Sequence, residues 1–343
     1  MRKTDRPFIR RKSATISHIS IFAGAGGYNK SSRWRENLLT RRSAVRSLSG
    51  LAASALLRPA RADDSPSVLQ IGGGTIEVTF RSNEFDLTRQ AMLDWISTGA
   101  RAVSSYFGRF PVPHASLEIV MAAGRRGGRI NGVTYGDGGV RSRLTVAQHV
   151  TAQDLSEDWV LTHEMVHYAF PSMEREHSWI EEGSATYIEP IARAAVGNLA
   201  VTQVWGDMVR YMPRGLPMDG DEGLDHTHTW GRTYWGGALF CLLADIGIRK
   251  GSHNKKGLVD ALRAVNRAGG TVDKDWPLDR AFQLGDKATG TSVLMSLYGQ
   301  MAAKPMPVDL PDLWKQLGVR QEDGQVTFDK DAPLAQVRAA ISS

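Results

Sequence analysis

The sequence has 343 residues and a formal net charge of +6, from 42 lysine and arginine residues against 36 aspartate and glutamate residues. The net positive charge comes from residues 1–62, which hold 14 basic and 2 acidic side chains. The rest of the chain holds 28 basic and 34 acidic ones and is net negative. That acidic remainder lacks the charge of a nucleic-acid-binding protein, and the single cysteine excludes a disulfide within the chain.

Residues 1–62 have the pattern of an export signal. The pair Arg41 and Arg42 precedes a short apolar run at 48–57, and the small residues of 60–62 fit a cleavage site. We predict a twin-arginine signal and a periplasmic or extracellular protein. The apolar run is too short for a permanent membrane anchor. The alternative is a disordered basic arm that binds nucleic acid.

Residues 63–343 are enough for one large domain or for two lobes around a cleft. Residues 75–80 alternate between apolar and polar side chains, which predicts a half-buried strand. Residues 87–107 have the apolar spacing of a helix, and 117–121 predict the next strand. The first part of this region therefore predicts a small sheet with a helix.

A helix is predicted from about residue 154 to residue 170. Ser156 or Asp154 can cap its N-terminal N–H groups, and Pro171 ends it. The motif His-Glu-x-x-His lies inside this helix, at residues 163–167. The chain therefore presents this motif on a helix.

His163 and His167 predict a divalent metal site. Residues four apart lie on one face of a helix, so the two imidazoles converge about one turn apart. Zinc in catalytic sites takes such nitrogens with a third protein ligand and leaves a position for water. Glu164 lies at the edge of that face, where it can take a proton from the bound water. The alternative is a chance occurrence of these residues on an ordinary amphipathic helix.

A second helix, at about residues 179–196, offers the third ligand. If it packs antiparallel to the first helix, Glu182 can reach the same metal. Glu189 is two turns further along and shares the face of Glu182. It suits a carboxylate that accepts the free N–H of a ligand imidazole, although a solvated helix carboxylate is the alternative. His177 lies in the turn before the helix, where no spacing argument makes it a ligand.

The rest of the chain predicts mainly helices. An amphipathic helix at 198–212 and a loop at 213–229 precede a long apolar helix from residue 231 to about residue 249. Short amphipathic segments follow at 258–265, 278–284, 293–301 and 313–317. The last of them begins a tail that predicts a short strand and a turn.

These motifs resemble those of the gluzincin metallopeptidases. The shared pattern is the His163 motif followed by Trp-Ile-Glu-Glu-Gly at 179–183, and the glycyl aminopeptidase family is the most similar group. The likeness covers about residues 105–340. The sequence lacks the Gly-x-Met-Glu-Asn exopeptidase motif.

The resemblance implies roles for individual residues. It implies that Glu182 is the third zinc ligand, that Glu189 supports a ligand histidine, and that Tyr234 is a catalytic tyrosine at the start of the long apolar helix. An edge strand beside the metal helix would pair with the substrate backbone, and residues 131–136 are the candidate. The candidate lies within residues 124–139, which are rich in glycine and arginine, and the alternative for this stretch is a surface hairpin.

The resemblance also implies a fold and an activity. The fold is an α+β zincin, similar to thermolysin. A lobe at 63–170 holds a small mixed sheet and the active-site helix, and a helical lobe spans 171–343. The activity is zinc-dependent hydrolysis of peptides or proteins. One alternative is a zinc hydrolase of a non-peptide substrate on the same scaffold. Another is an exported binding protein with a structural metal site.

Overall fold

A computed structural model describes residues 65–82, 84–124 and 130–343. Within them the chain is a mixed α+β structure, with a small sheet followed by many helices. The export signal predicted at residues 1–62 lies outside the described residues. The division into two lobes at residue 170 stays a prediction.

The sheet has five strands in the order β1-β2-β3-β5-β4. The neighbours β2/β3 and β3/β5 are parallel, whereas β1/β2 and β5/β4 are antiparallel, so the predicted small mixed sheet is confirmed. β4 forms one edge. The strands are β1 (Ser67–Ile71), β2 (Gly74–Phe80), β3 (His114–Ala122), β4 (Ile130–Tyr135) and β5 (Arg141–Ala147).

The strand predictions at 75–80 and 117–121 are confirmed by β2 and β3. On β2, buried and half-buried side chains alternate, as expected for a strand with one face in the core. Strand β1 was not predicted. Its signal was the pair Gly72 and Gly73, whose positive φ angles of 58° and 83° form the two-residue turn to β2.

Helix α1 (Arg89–Phe107) packs against β1 and confirms the helix predicted at 87–107. The predicted helix at 154–170 is interrupted, and this boundary was wrong. The segment instead forms α2 (Ala152–Glu157) and α3 (Val160–His167). Asp158 has an extended backbone at the break, and its carboxylate accepts the N–H groups of Val160 and Leu161. Asp158 therefore caps α3, in place of the predicted Ser156 or Asp154.

The second half of the described chain is helical around the long helix α4 (Ser178–Ala195). The predicted helix at 231–249 is one turn of π-helix, Gly231–Gly236, that continues directly into α6 (Gly237–Gly251). The other helices are α5 (Val201–Tyr211), α7 (Leu258–Arg267), α8 (Leu278–Thr289), α9 (Val293–Met301), α10 (Leu310–Leu317) and α11 (Ala335–Ile341). Short 3-10 turns span Arg175–His177 and Met212–Gly215, and a hairpin before α11 pairs β6 (Val319–Glu322) with β7 (Gln325–Phe328).

The core is continuous from the sheet to the helices, and α3 and α4 both contribute buried side chains to it. Trp179 on α4 is almost fully buried and packs edge-on against Phe240 of α6. Burial of such large apolar surfaces is the main favourable term that holds these helices in place. In the described part of the chain, no helix has the length and apolarity needed to cross a bilayer.

Candidate metal centre

Helix α3 places His163 and His167 one turn apart, as the sequence predicts. Their ring centroids are 5.0 Å apart and the rings are nearly perpendicular, at 81°. His163 is fully buried and His167 half-buried. Burial lowers the pKa of His167 to about 4, so its imidazole is neutral and has a free lone pair for a metal.

Helix α4 brings Glu182 to both histidines. Its Oε2 atom lies 3.1 Å from Nε2 of His163 and 3.7 Å from Nε2 of His167. One ligand atom from each of the three side chains lies within 4.8 Å of the others. Zinc bonds of about 2.0–2.2 Å at tetrahedral angles separate ligand atoms by about 3.4 Å. The donor set and its spacing therefore fit zinc.

The close approach of α4 to α6 places Glu182. A methyl group on Gly183 would overlap the backbone of Gly237, and one on Gly237 would overlap the backbone carbonyl of Trp179. The two helices therefore touch through glycine, without intervening side chains. This backbone contact explains why glycine follows Glu182 and how the carboxylate is held at a fixed depth.

Glu164 points toward strand β4. Its carboxylate is buried; Oε2 accepts a 2.7 Å hydrogen bond from the Thr134 hydroxyl, whereas Oε1 has no partner among the described residues. Burial raises the pKa of Glu164 to about 7, against the opposing effect of His163. Gly132 lies against the same side chain: a Cβ there would be 2.7 Å from Oε1 of Glu164. Glycine is therefore required for this close approach.

Tyr234 lies beside the three candidate ligands. It is on the π-helical turn, and its ring stacks on that of His163 with centroids 6.1 Å apart and an angle of 18°. Its hydroxyl forms a hydrogen bond with Glu182. Burial and the Glu182 charge raise the Tyr234 pKa above its usual value, so the phenol keeps its proton. π-Helical turns are frequent at functional sites.

Glu189 does not make the hydrogen bond predicted for it. It is buried and paired with Arg193, one turn further along α4, at 2.9 Å. Nδ1 of His163 is buried without a hydrogen-bond partner in the described part of the structure. Burial alone lowers the His163 pKa, but the hydrogen bond to Glu182 and the charges of Glu182, Glu164 and Glu189 outweigh it and raise that pKa. The Glu189 carboxylate is therefore bound by Arg193, and Nδ1 of His163 lacks the predicted acceptor among the described residues.

The remaining histidines of this region lie in other environments. Nδ1 of His177 is 3.0 Å from Asp225, which also accepts hydrogen bonds from Trp179 and Tyr298. His226 and His228 are exposed. Sequence reasoning missed Thr134; its signal was the period of β4, which puts Thr134 on the same face as Gly132.

No protein-family model matches this sequence. No curated protein sequence matches it either. Among solved structures, the fold is similar to an aminopeptidase N family protein from Idiomarina loihiensis, with a TM-score of 0.55 and 14% identity over 78% of this chain and 53% of that one. An M1 zinc metallopeptidase from Deinococcus radiodurans gives a TM-score of 0.46 and 15% identity, over 71% of this chain and 52% of that one.

The chain thus spans about half of the length of the structures it matches. At 14% identity, the likeness to the Idiomarina protein is a likeness of fold alone. The function has to be argued from the site itself.

Proposed function

We propose that this chain is a zinc-dependent hydrolase of peptide bonds with a gluzincin-type site. The observation that carries the proposal is the convergence of His163 Nε2, His167 Nε2 and Glu182 Oε2 at separations suited to zinc. Glu164 follows the first ligand with one carboxylate oxygen free of hydrogen bonds among the described residues. The fold shared with a peptidase family member supports the same reaction class.

The protein side chains divide the chemistry between them. A zinc ion held by the three ligands would supply a Lewis acid that lowers the pKa of a water molecule toward about 7. Glu164 would accept a proton from the attacking water at Oε1 and later deliver it to the leaving amine. The Tyr234 hydroxyl, which keeps its proton, donates to the oxyanion that develops on the carbonyl.

Strand β4 is the proposed binding edge for the substrate. It lies at the end of the sheet and passes directly over Glu164 through Gly132 and Thr134. An extended peptide that pairs with this edge is held by backbone hydrogen bonds, so its carbonyl groups run past the metal centre. This geometry favours a peptide over a compact small molecule as the substrate.

The test combines metal analysis with peptide profiling. We expect purified wild-type protein to bind one zinc ion per chain and to cleave members of a diverse peptide library, as followed by mass spectrometry. A zinc chelator should abolish cleavage and added zinc should restore it. Stoichiometric zinc without cleavage of any peptide would contradict a peptidase and favour a binding protein or a different hydrolase.

Substitution of Gly132 by alanine should impair hydrolysis strongly while the protein stays folded. The new Cβ overlaps the Glu164 side chain, so that carboxylate must move. A displacement near 1 Å of a catalytic group costs roughly a hundredfold in rate. The measurement is kcat on the best library peptide, with the melting temperature as the check on folding.

Gly299→Ala is the matched control for Gly132→Ala. A Cβ at Gly299, on helix α9, meets no described atom within 4 Å, so this change should leave kcat unaltered. Equal activity of the Gly132→Ala variant and the wild type would show that the strand does not hold Glu164 in its working position.

A further inference from the structure

Thr134 contacts the Glu164 carboxylate but none of the three candidate ligands in any described hydrogen bond. Its hydroxyl lies 2.7 Å from Oε2 of Glu164 and 3.0 Å from the backbone carbonyl of the same residue. Thr134 sits on β4, so the strand proposed to bind substrate also contacts the proposed base.

Two further hydroxyl groups continue from Thr134 into the core. Ser142 on β5 is the cross-strand partner of Thr134, and its Oγ atom is 2.7 Å from Oγ1 of Thr134. The Tyr168 hydroxyl is 2.7 Å from the same Ser142 oxygen. Ser142 and Tyr168 are both buried. We call Thr134, Ser142 and Tyr168 the hydroxyl chain.

The number of protons fixes the direction of this chain. An ionised carboxylate only accepts hydrogen bonds, and each hydroxyl has one proton to donate. The Thr134 proton is directed at Glu164, so Ser142 must donate to Thr134 and Tyr168 must donate to Ser142. The phenol of Tyr168 has one proton to donate, and this proton starts the chain. Aligned hydrogen bonds of this kind polarise one another.

The two carboxylate oxygens of Glu164 therefore have different environments. Oε2 accepts from the hydroxyl chain, whereas Oε1 has no hydrogen-bond partner within the described residues. Oε1 faces the position that a Cβ on Gly132 would occupy, at 2.7 Å. On β4, Thr134 thus binds Oε2 of Glu164, and Gly132, two residues earlier, leaves space beside Oε1.

We propose that Thr134 is a positioning residue: the hydroxyl chain fixes Oε2 of Glu164 and thereby makes Oε1 the atom that exchanges protons with substrate and water. This inference rests on the proposed function for its catalytic part. Its structural part, the orientation of the Glu164 carboxylate, is independent of zinc and of turnover.

The first test removes the Thr134 hydroxyl with little change in shape. Thr134→Val should lower kcat about 10- to 100-fold, the effect of losing a hydrogen bond to a charged group. We expect KM to stay within about twofold and zinc affinity, from competition with a fluorescent chelator, to stay unchanged, because substrate-edge pairing and the ligands are not altered. Thr134→Ser keeps the hydroxyl and should restore most of kcat.

The control is Thr145→Val, which makes the same chemical change on β5. Thr145 is half-buried and three residues from Ser142, so it lies on the other face of the sheet. This variant should match the wild type in kcat. Ser142→Ala should give a smaller, severalfold loss, because the Thr134 hydroxyl then loses the donor that fixes its direction.

Crystal structures of the zinc-free wild type, Thr134→Val and Ser142→Ala provide a readout without turnover. The Glu164 carboxylate should keep its orientation in the wild type and rotate in Thr134→Val. An unchanged carboxylate, an undiminished kcat in Thr134→Val, or a failure of serine to restore kcat would each overturn the proposal. Wild-type protein that cleaves no peptide would contradict the proposed function, whereas the crystal structures would still decide the orientation.

Discussion

Substitution of Glu164 by glutamine is expected to lower kcat/KM for peptide hydrolysis by about a thousandfold, within the roughly 10²- to 10⁴-fold range of general base catalysis. The amide has nearly the size of the carboxylate and can still accept the Thr134 hydrogen bond, so the fold should persist. It cannot take a proton. Zinc content should stay at the wild-type level because Glu164 is outside the ligand set.

The control for this change is Glu157→Gln. Glu157 is an exposed residue of α2, and its carboxylate accepts only a local hydrogen bond from Gln153 among those described. Its variant should keep wild-type kcat/KM on the same peptides. If Glu164→Gln retained zinc and hydrolysed peptides at the wild-type rate, Glu164 would have no part in proton transfer.

Substitution of Glu182 by glutamine is expected to weaken zinc binding about a hundredfold or more. Zinc sites with four protein ligands bind with about 10–16 kcal/mol, so one ligand accounts for roughly 3 kcal/mol, or about two orders of magnitude in Kd. A neutral amide in this buried site also loses the charge that attracts the cation. Chelator competition measures the Kd, and hydrolysis should fall in parallel unless zinc is supplied in excess.

The adjacent residue supplies a matched control. Glu181 is on the same helix and accepts a hydrogen bond from the Met173 backbone, away from the histidines. Glu181→Gln should leave the zinc Kd unchanged. A Glu182→Gln variant with wild-type zinc affinity would mean that the third ligand has been assigned to the wrong residue.

The sequence predicted correctly those features in which the local spacing of residues determines where a side chain lies. The alternation in 75–80 predicted β2, and the four-residue spacing predicted that His163 and His167 share a face. Glu182 was a choice among several acidic residues. Its approach to the histidines depends on the contact of Gly183 with Gly237, which is fifty-four positions away in the chain. Such contacts have no local signal.

Other predictions were wrong because a side chain that the prediction did not consider binds the N–H group or carboxylate concerned. Asp158 binds the first N–H groups of α3, and this capping interaction interrupts a helix that apolar spacing alone makes continuous. Arg193 takes the carboxylate of Glu189, since residues four apart on a helix meet. Thr134 was overlooked because the two-residue period that puts it on the face of Gly132 has a meaning only once β4 is known to lie against Glu164.

The contact between Gly183 and Gly237 determines the positions of two side chains of the proposed site. Glu182 precedes the first glycine, and Tyr234 lies one turn before the second. A larger side chain at either glycine would push the helices apart and carry the metal donor and the phenol with them. A substitution at either glycine, natural or engineered, therefore changes the affinity for the cation and the stabilisation of the reacting carbonyl together.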